Sequence, residues 1–267
     1  MAPPHTSARI ALGVSYNGLA YQGWQSQRSG RTVQDQLESA LSRIAGHNVR
    51  TLCAGRTDAG VHALMQVVHF DTWAIRREIS WVRGTNALLP RDIAVQWAHQ
   101  VPTSFHCRAS AVSRRYVYFL LQGPVRPSID AGRVGWVMAP LALAPMQKAS
   151  ALLTGQHDFS SFRAAACQAL TATKTMRPIT IAQRGSYWRF EFEADAFLHH
   201  MIRNIMGCLV VVGQGKREPR WLADVLLARS RKAAASTFAP DGLYFVGPRY
   251  AAEWGLPEHT GGYDGFP

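Results

Sequence analysis

Residues 175–194 constrain the fold more than any other stretch of this chain. Thr175–Gln183 and Tyr187–Ala194 read as two arms of a hairpin around Arg184-Gly185-Ser186, and in the second arm Phe190, Phe192 and Ala194 alternate with Glu191 and Glu193. A period of two puts the apolar side chains on one face and the carboxylates on the other, the pattern of an antiparallel sheet with one wet face. A helix-length stretch follows directly. Over Leu198–Val212, Leu198, Met201, Ile202, Ile205, Met206 and Leu209 fall on one apolar stripe.

The same alternation recurs upstream. Ile10–Tyr16 reads as a strand. Thr32 reads as a helix N-cap with Asp35 as a weak capping-box partner, Val33, Leu37, Ala40, Leu41 and Ile44 follow at helical spacing, and Gly46 stops the helix. Strands are expected at Val49–Cys53, Val67–Phe70 and Ile93–Trp97, with a helix over Arg77–Leu88 that ends before Pro90. Val112–Leu121 is β-rich. Pro145 suits the first turn of a further helix and Gly155 its end, and Leu243–Val246 is a last strand. Hairpins beside helices, rather than strict βαβ alternation, point to an α+β fold with antiparallel sheets. The chain of 267 residues divides into two similar halves, 8–105 and 106–250, each of ordinary domain size. Residues 1–7 and 257–267 are short on aliphatic side chains and are expected to be loose ends.

The net charge is +12. A basic balance of that size favours a polyanionic partner, because each neutralised phosphate releases counterions. Solubility or codon bias is the plainer explanation, since Lys148, Lys174, Lys216 and Lys232 are the only lysines among 29 basic residues. Arginine is also the better phosphate ligand, because its planar fork bonds bidentately. Cys53, Cys107, Cys167 and Cys208 contain no CxxC pair, so the spacing of a structural zinc site is missing. No charged and apolar leader opens the chain, and Cys208–Val212 is too short a run to span a membrane. Free thiols in a cytoplasmic protein are expected.

Phosphate-binding loops, dinucleotide fingerprints and the common hydrolase signatures are absent from the sequence. One segment stands out: Gly55-Arg56-Thr57-Asp58-Ala59-Gly60-Val61-His62. Two glycines bracket a charged pair, and glycine permits both positive φ and close approach of another backbone. Such a loop can present one carboxylate to a ligand. Taken alone, its plainer reading is an Asx-type turn in which Asp58 bonds only its own backbone.

The segment resembles the catalytic motif of the tRNA pseudouridine synthase A family, and further blocks resemble that family in the expected order. They are Met65–Phe70, Ala111–Tyr118, His157–Arg163, Phe197–Gly207 and Ala239–Leu243. Met65 departs from the small residue expected at its position. The resemblance spans roughly residues 9–250 and implies two ferredoxin-like domains with helices on one face of each sheet and a catalytic cleft between them. It implies an isomerase (an intramolecular transferase) that converts uridine to pseudouridine in tRNA, at positions 38, 39 and 40 of the anticodon stem-loop. It further implies a homodimer with tRNA across basic clefts formed by both subunits, and chemistry without cofactor or metal.

Asp58 matches the family's essential aspartate. An ionised carboxylate can attack C1′, add to C6 of the base, or take a proton from C2′. Burial alone would neutralise it, and a nearby guanidinium reverses that. Arg203 resembles the arginine that pairs with the catalytic aspartate, although by spacing alone the plainer reading is a solvated helix residue lying off the apolar stripe. Tyr116 resembles the active-site tyrosine, which can stack on an extruded uracil or move a proton. Its plainer reading is a core aromatic, the role expected for Tyr118. Arg56 would reach the target phosphate or hold the space left by the flipped base, or would only brace the turn. His62, the pair His199-His200, and the aromatic loop Tyr21–Trp24 read as packing residues. Two rival functions keep the same residues: a non-catalytic RNA-binding protein, and a metal-dependent phosphoesterase using Asp58 and His62.

Overall fold

The computed structural model describes residues 7–257; the expected loose ends, apart from Ser7 and Pro257, lie outside the described residues. The described chain divides into two units, residues 7–112 with 245–257 and residues 113–244.

The first unit begins with β1 (Ala8–Tyr16) and α1 (Val33–Ala45). Thr32 caps α1 by accepting from the Asp35 amide at 3.2 Å, and Gly46 ends it at φ 76°, both as expected from sequence. Val33, Leu37, Ala40 and Leu41 form its buried stripe. Each fully buried aliphatic side chain contributes about 1.5–3 kcal/mol. Then follow β2 (Leu52–Cys53), β3 (His62–Thr72), α2 (Glu78–Asn86) and β4 (Ile93–Val101). β1 pairs antiparallel with β3 and β4, and β2 pairs with β3. The order β4-β1-β3-β2 is the ferredoxin-like arrangement of a βαββαβ unit. Trp81 of α2 meets Phe70 of β3 edge-on, with centroids 5.2 Å apart.

The second unit is built on β5 (Ala111–Gln122), β6 (Gly135–Val137), α3 (Leu143–Ala151), β7 (Gly155–Asp158), β8 (Thr173–Met176), β9 (Thr180–Arg184), β10 (Tyr187–Ala194), α4 (Met201–Gly213) and α5 (Trp221–Ala228). Its strands run in the order β5-β10-β8-β7, and β9 also pairs with β10. The alternating arm at 187–194 buries Trp188, Phe190, Phe192 and Ala194, as its period of two requires. β6 is the exception to antiparallel pairing, because it runs parallel to β5. The last strand, β11 (Leu243–Tyr250), leaves the second unit after Tyr244 and enters the first.

Several boundaries differ from the sequence reading. The first hairpin arm is two strands, because Pro178 cannot donate to a ladder and separates β8 from β9. Gly155 does not cap α3, which ends at Ala151 with Leu152 as its C-cap; it opens β7 at φ 101°. Only Leu52–Cys53 of the expected Val49–Cys53 strand pairs. α4 starts at Met201 rather than Leu198, because His200 adopts φ 62° and breaks the helical run. Among the described residues no helix is long and apolar enough to cross a membrane, and all four cysteines are free thiols.

One buried carboxylate ties α1 to the chain entering β2. Glu38, 6% exposed, accepts from the Thr51 amide (2.7 Å), the Thr51 hydroxyl (3.0 Å), Gln34 Nε2 (2.8 Å) and Arg50 (3.1 Å). Glu38→Ala would strand the buried Thr51 and Gln34 donors and is expected to cost about 2–3 kcal/mol, against about 1 kcal/mol for Glu38→Gln. Urea midpoints check this ranking; a Glu38→Ala protein as stable as one altered at exposed Glu218 would refute it.

Candidate active site

The Asp58 loop is short, and the surrounding backbone holds nearly every residue of it. Gln66 of β3, fully buried, grips Gly55 twice, accepting from its amide (3.4 Å) and donating to its carbonyl (2.5 Å). The Thr57 hydroxyl is buried against Tyr16 Oη at 2.7 Å, and the Thr57 carbonyl accepts from the Trp24 amide at 3.0 Å. The Asp58 carbonyl accepts from the Val61 amide at 3.1 Å, and Gly60 takes φ 79° to close the turn. These bonds hold the main chain of the loop from both sides, and Asp58 itself is partly exposed.

Two glycines of the preceding loop let it pack directly on this turn. A Cβ on Gly23, which sits at φ 83°, would come within 2.7 Å of the Thr57 carbonyl oxygen and 3.1 Å of the Asp58 carbonyl carbon. A Cβ on Gly18 would come within 2.0 Å of the Val61 carbonyl. His62 belongs to the same packing. It is 3% exposed, and its Nδ1 accepts from the Gly18 amide at 3.1 Å. With Nδ1 accepting, the neutral ring carries its proton on Nε2 and offers no free lone pair to a metal ion. Trp24 is likewise core, 1% exposed and 5.8 Å from the Tyr16 ring, while Tyr21 donates to Asp92 at 2.5 Å. Met65 has a physical reason for its size: its sulfur receives Trp97 Nε1 at 3.2 Å over Gly13, where no Cβ would fit.

In the second unit, β5 carries Tyr116, 8% exposed, with its ring edge-on to Phe197 at 5.1 Å. Tyr118, on the same face, is fully buried and donates to the Ala239 carbonyl at 2.9 Å, as a core residue should. Burial first, then the Asp241 charge, raises its pKa. Arg203 lies in the first turn of α4, where its Nε donates to the Phe238 carbonyl at 2.8 Å and its own carbonyl accepts from the Phe238 amide at 3.1 Å. Asn204 went unremarked in the sequence, yet it organises this region. Fully buried, it donates to the Phe162 carbonyl (2.8 Å) and accepts from Arg231 (3.1 Å) and Thr237 (2.7 Å). The signal was available: an amide in the middle of an apolar helix needs partners from elsewhere in the fold. Gly207 completes the contact, since a Cβ there would come within 2.2 Å of the Ser236 carbonyl oxygen. Arg56 and Asp58 thus share one loop of the first unit, while Tyr116 and Arg203 belong to the second.

His69, His106 and Cys107 of the first unit bring potential ligand atoms within 4.8 Å of one another. Their hydrogen bonds do not suit a metal. His69 Nδ1 accepts from the Cys107 amide (3.3 Å), and His106 Nδ1 accepts from the Arg108 and Ala109 amides (both 3.2 Å), so each ring carries its proton on Nε2. Burial pushes the Cys107 thiol up to about 12. Burial also pulls His69 down to about 4, aided by the Arg9 guanidinium and His106. The cluster fixes a chain segment.

The family model described as tRNA pseudouridine synthase matches residues 13–108 and 149–251. Arg56, Asp58 and Arg203 fall within those spans and Tyr116 between them. The tRNA pseudouridine synthase A of Albidiferax ferrireducens is 68% identical over 259 residues, covering 97% of this chain and 100% of that protein. Those of Polaromonas sp. strain JS666 and Verminephrobacter eiseniae are 66% and 65% identical, each again covering 97% of this chain and 100% of the relative. Among solved structures, a crystal structure of a Cbf5–Nop10–Gar1 complex aligns with 75% of this chain and 45% of the matched chain at 14% identity and a TM-score of 0.33.

Two outcomes follow from this geometry. Gly23→Ala is expected to cost about 2–4 kcal/mol, because strain and a backbone clash add, whereas Gly30→Ala, at φ 65° with nothing within 4 Å, should cost only about 1 kcal/mol. Equal losses in chemical denaturation would refute the close-approach argument. His69 stays neutral in the fold while the unfolded chain takes up its proton, so stability is complete above about pH 6.5 and declines as the pH falls toward about 4. Denaturation at pH 7 and pH 4.5 should show a smaller decline for His69→Gln; an unchanged decline would assign the acid sensitivity elsewhere.

Proposed function

The chain belongs to the tRNA pseudouridine synthase A family, and from that premise we propose that it isomerises uridines 38, 39 and 40 of the tRNA anticodon stem-loop, with Asp58 as its catalytic residue. The observation that carries the assignment is the Asp58 turn. Its main chain is held through Gln66, Thr57, Trp24 and Gly60, and Asp58 itself is partly exposed on that frame. A rigid loop presenting one acidic side chain suits a reaction that needs a positioned carboxylate and little else.

The chemistry breaks the N1–C1′ bond, turns the uracil within the site and forms a C5–C1′ bond. The proton on C5 leaves to solvent and N1 regains one, so substrate and product are isomers. Attack at C1′, addition at C6 and proton removal at C2′ are the routes open to a carboxylate, and each needs it ionised. Tyr116, Arg203 and Arg56 enter the proposal as substrate-binding residues. The Tyr116 ring, held by Phe197, offers a face or edge to an extruded base. Arg203, oriented by Phe238, and Arg56, exposed on the catalytic loop, offer guanidiniums to the RNA. The basic charge of +12 supports a polyanionic substrate, and the reading includes a cytoplasmic homodimer that works without cofactor or metal. Against the phosphoesterase alternative stands the engagement of His62 with Gly18.

Tritium release from tRNA carrying 5-³H-uridine is the test. Asp58→Asn is expected to lower the single-turnover rate by at least about 1,000-fold while tRNA binding persists, and Arg203→Met to leave the fold intact and reduce turnover severely. Release by the Asp58→Asn protein at near-wild-type rate would remove the catalytic assignment. Binding by the unaltered protein without any release would favour a non-catalytic RNA-binding role.

A further inference from the structure

Beside the Asp58 loop, wholly within the first unit, lies a cavity of about 320 Å³ whose lining includes Leu52, Cys53, Arg56, His106 and Arg108. Among the described residues no carboxylate lines it. The ionisable groups present are two guanidiniums, an imidazole and a thiol. Burial raises the Cys53 pKa in spite of the Arg108 and Arg56 charges, so the sulfur stays a thiol. The Arg108 guanidinium lies 3.9 Å from Cys53 Sγ.

The segment carrying His106 and Arg108 is held from several sides. Its turn closes through the Ser110 amide to the His106 carbonyl at 2.8 Å. His69 Nδ1 accepts from the Cys107 amide (3.3 Å), Cys107 Sγ contacts the Leu52 carbonyl (3.2 Å), and Tyr250 donates to the Cys107 carbonyl (2.6 Å). His106 Nδ1 takes the Arg108 and Ala109 amides, so its Nε2 carries a proton and the ring donates without needing a positive charge. Three side chains with donor groups, from two separately anchored segments, therefore line one small space. Donors without a carboxylate select an anion, and arginine selects phosphate geometry. The volume is at the lower end of the range of about 300–1,000 Å³ for small-ligand sites, which suits one nucleotide and excludes a duplex.

We propose that this cavity is a nucleotide subsite that takes one phosphodiester-linked nucleotide flanking the target uridine, with His106 and Arg108 as its binding residues. The inference rests on the tRNA reading given above. Arg56 links the two, since it lines the cavity two residues before Asp58 on the same pinned loop. Engagement of the flanking nucleotide would hold the strand on the first unit while the target base is extruded.

The test measures tRNA affinity across a salt series for the full-length protein and two variants. Arg108→Gln removes a donor. Leu52→Glu places a negative charge at the rim from a side chain that is 52% exposed, so the fold tolerates it. Each is expected to weaken tRNA binding about tenfold, and Arg108→Gln to reduce the slope of log affinity against log salt by about 0.7–0.9. Duplex DNA, too wide to enter, should bind both variants as it binds the unaltered protein. Unchanged tRNA affinity in both variants overturns the subsite, as do equal losses on tRNA and duplex DNA, which would reduce the cavity to part of a general basic surface. If thermal melting shows that Arg108→Gln has not folded, Leu52→Glu decides alone. The two readings fail separately: tritium release with unchanged affinities removes the subsite only, whereas tRNA binding lost in the variants, without release by any protein, removes the isomerase only.

Discussion

The contact between the Gly18–Gly23 loop and the Asp58 turn is the constraint on which the candidate site depends. It is a backbone-on-backbone contact, closer than any side chain allows. Around it, Gln66 holds Gly55, Tyr16 holds Thr57 and Gly18 holds His62. Each bond consumes a buried polar group that would otherwise be costly, so the turn is specified by the need to satisfy its neighbours. The main chain that carries Asp58 is thereby fixed by bonds made within the fold itself.

The second unit applies the same principle through a side chain. Asn204 gathers the Phe162 carbonyl, Arg231 and Thr237 onto α4, and Gly207 lets the Ser236 carbonyl sit against the helix. The chain from Ser236 to Phe238 is thereby fixed, and Phe238 in turn orients Arg203. His200 contributes a left-handed residue at the start of the helix, a conformation that costs roughly 1–3 kcal/mol outside glycine and persists where surrounding contacts over-determine it. It turns the chain between Phe197, which packs on Tyr116, and Met201, where α4 begins.

Much of this architecture was legible in local pattern. Thr32 and Gly46 marked α1 to the residue because caps are local chemistry, with partners only a few positions away. Phe190, Phe192 and Ala194 marked the buried face of β10 because strand geometry alone sets a period of two. Where a boundary depended on a less regular cause, the pattern misled. Pro178 split an arm that read as continuous, and the apolar stripe at Leu198 suggested helix three residues too early, since Leu198 is buried without being helical. α5, at Trp221–Ala228, was not anticipated.

For the site, the sequence by itself determined that Asp58 sits in a glycine-bracketed turn and that its neighbours match one enzyme family, because both are properties of contiguous residues. Only the tertiary structure decided what those residues do there. His62 became a packing partner of Gly18, Met65 a cover for Gly13 and Trp97, and His69 with His106 a brace for Arg108 rather than a metal cluster. The physical reason is the same in each case. A polar side chain's role is set by which donor or acceptor lies within about 3 Å of it, and those partners are separated in sequence by tens of residues.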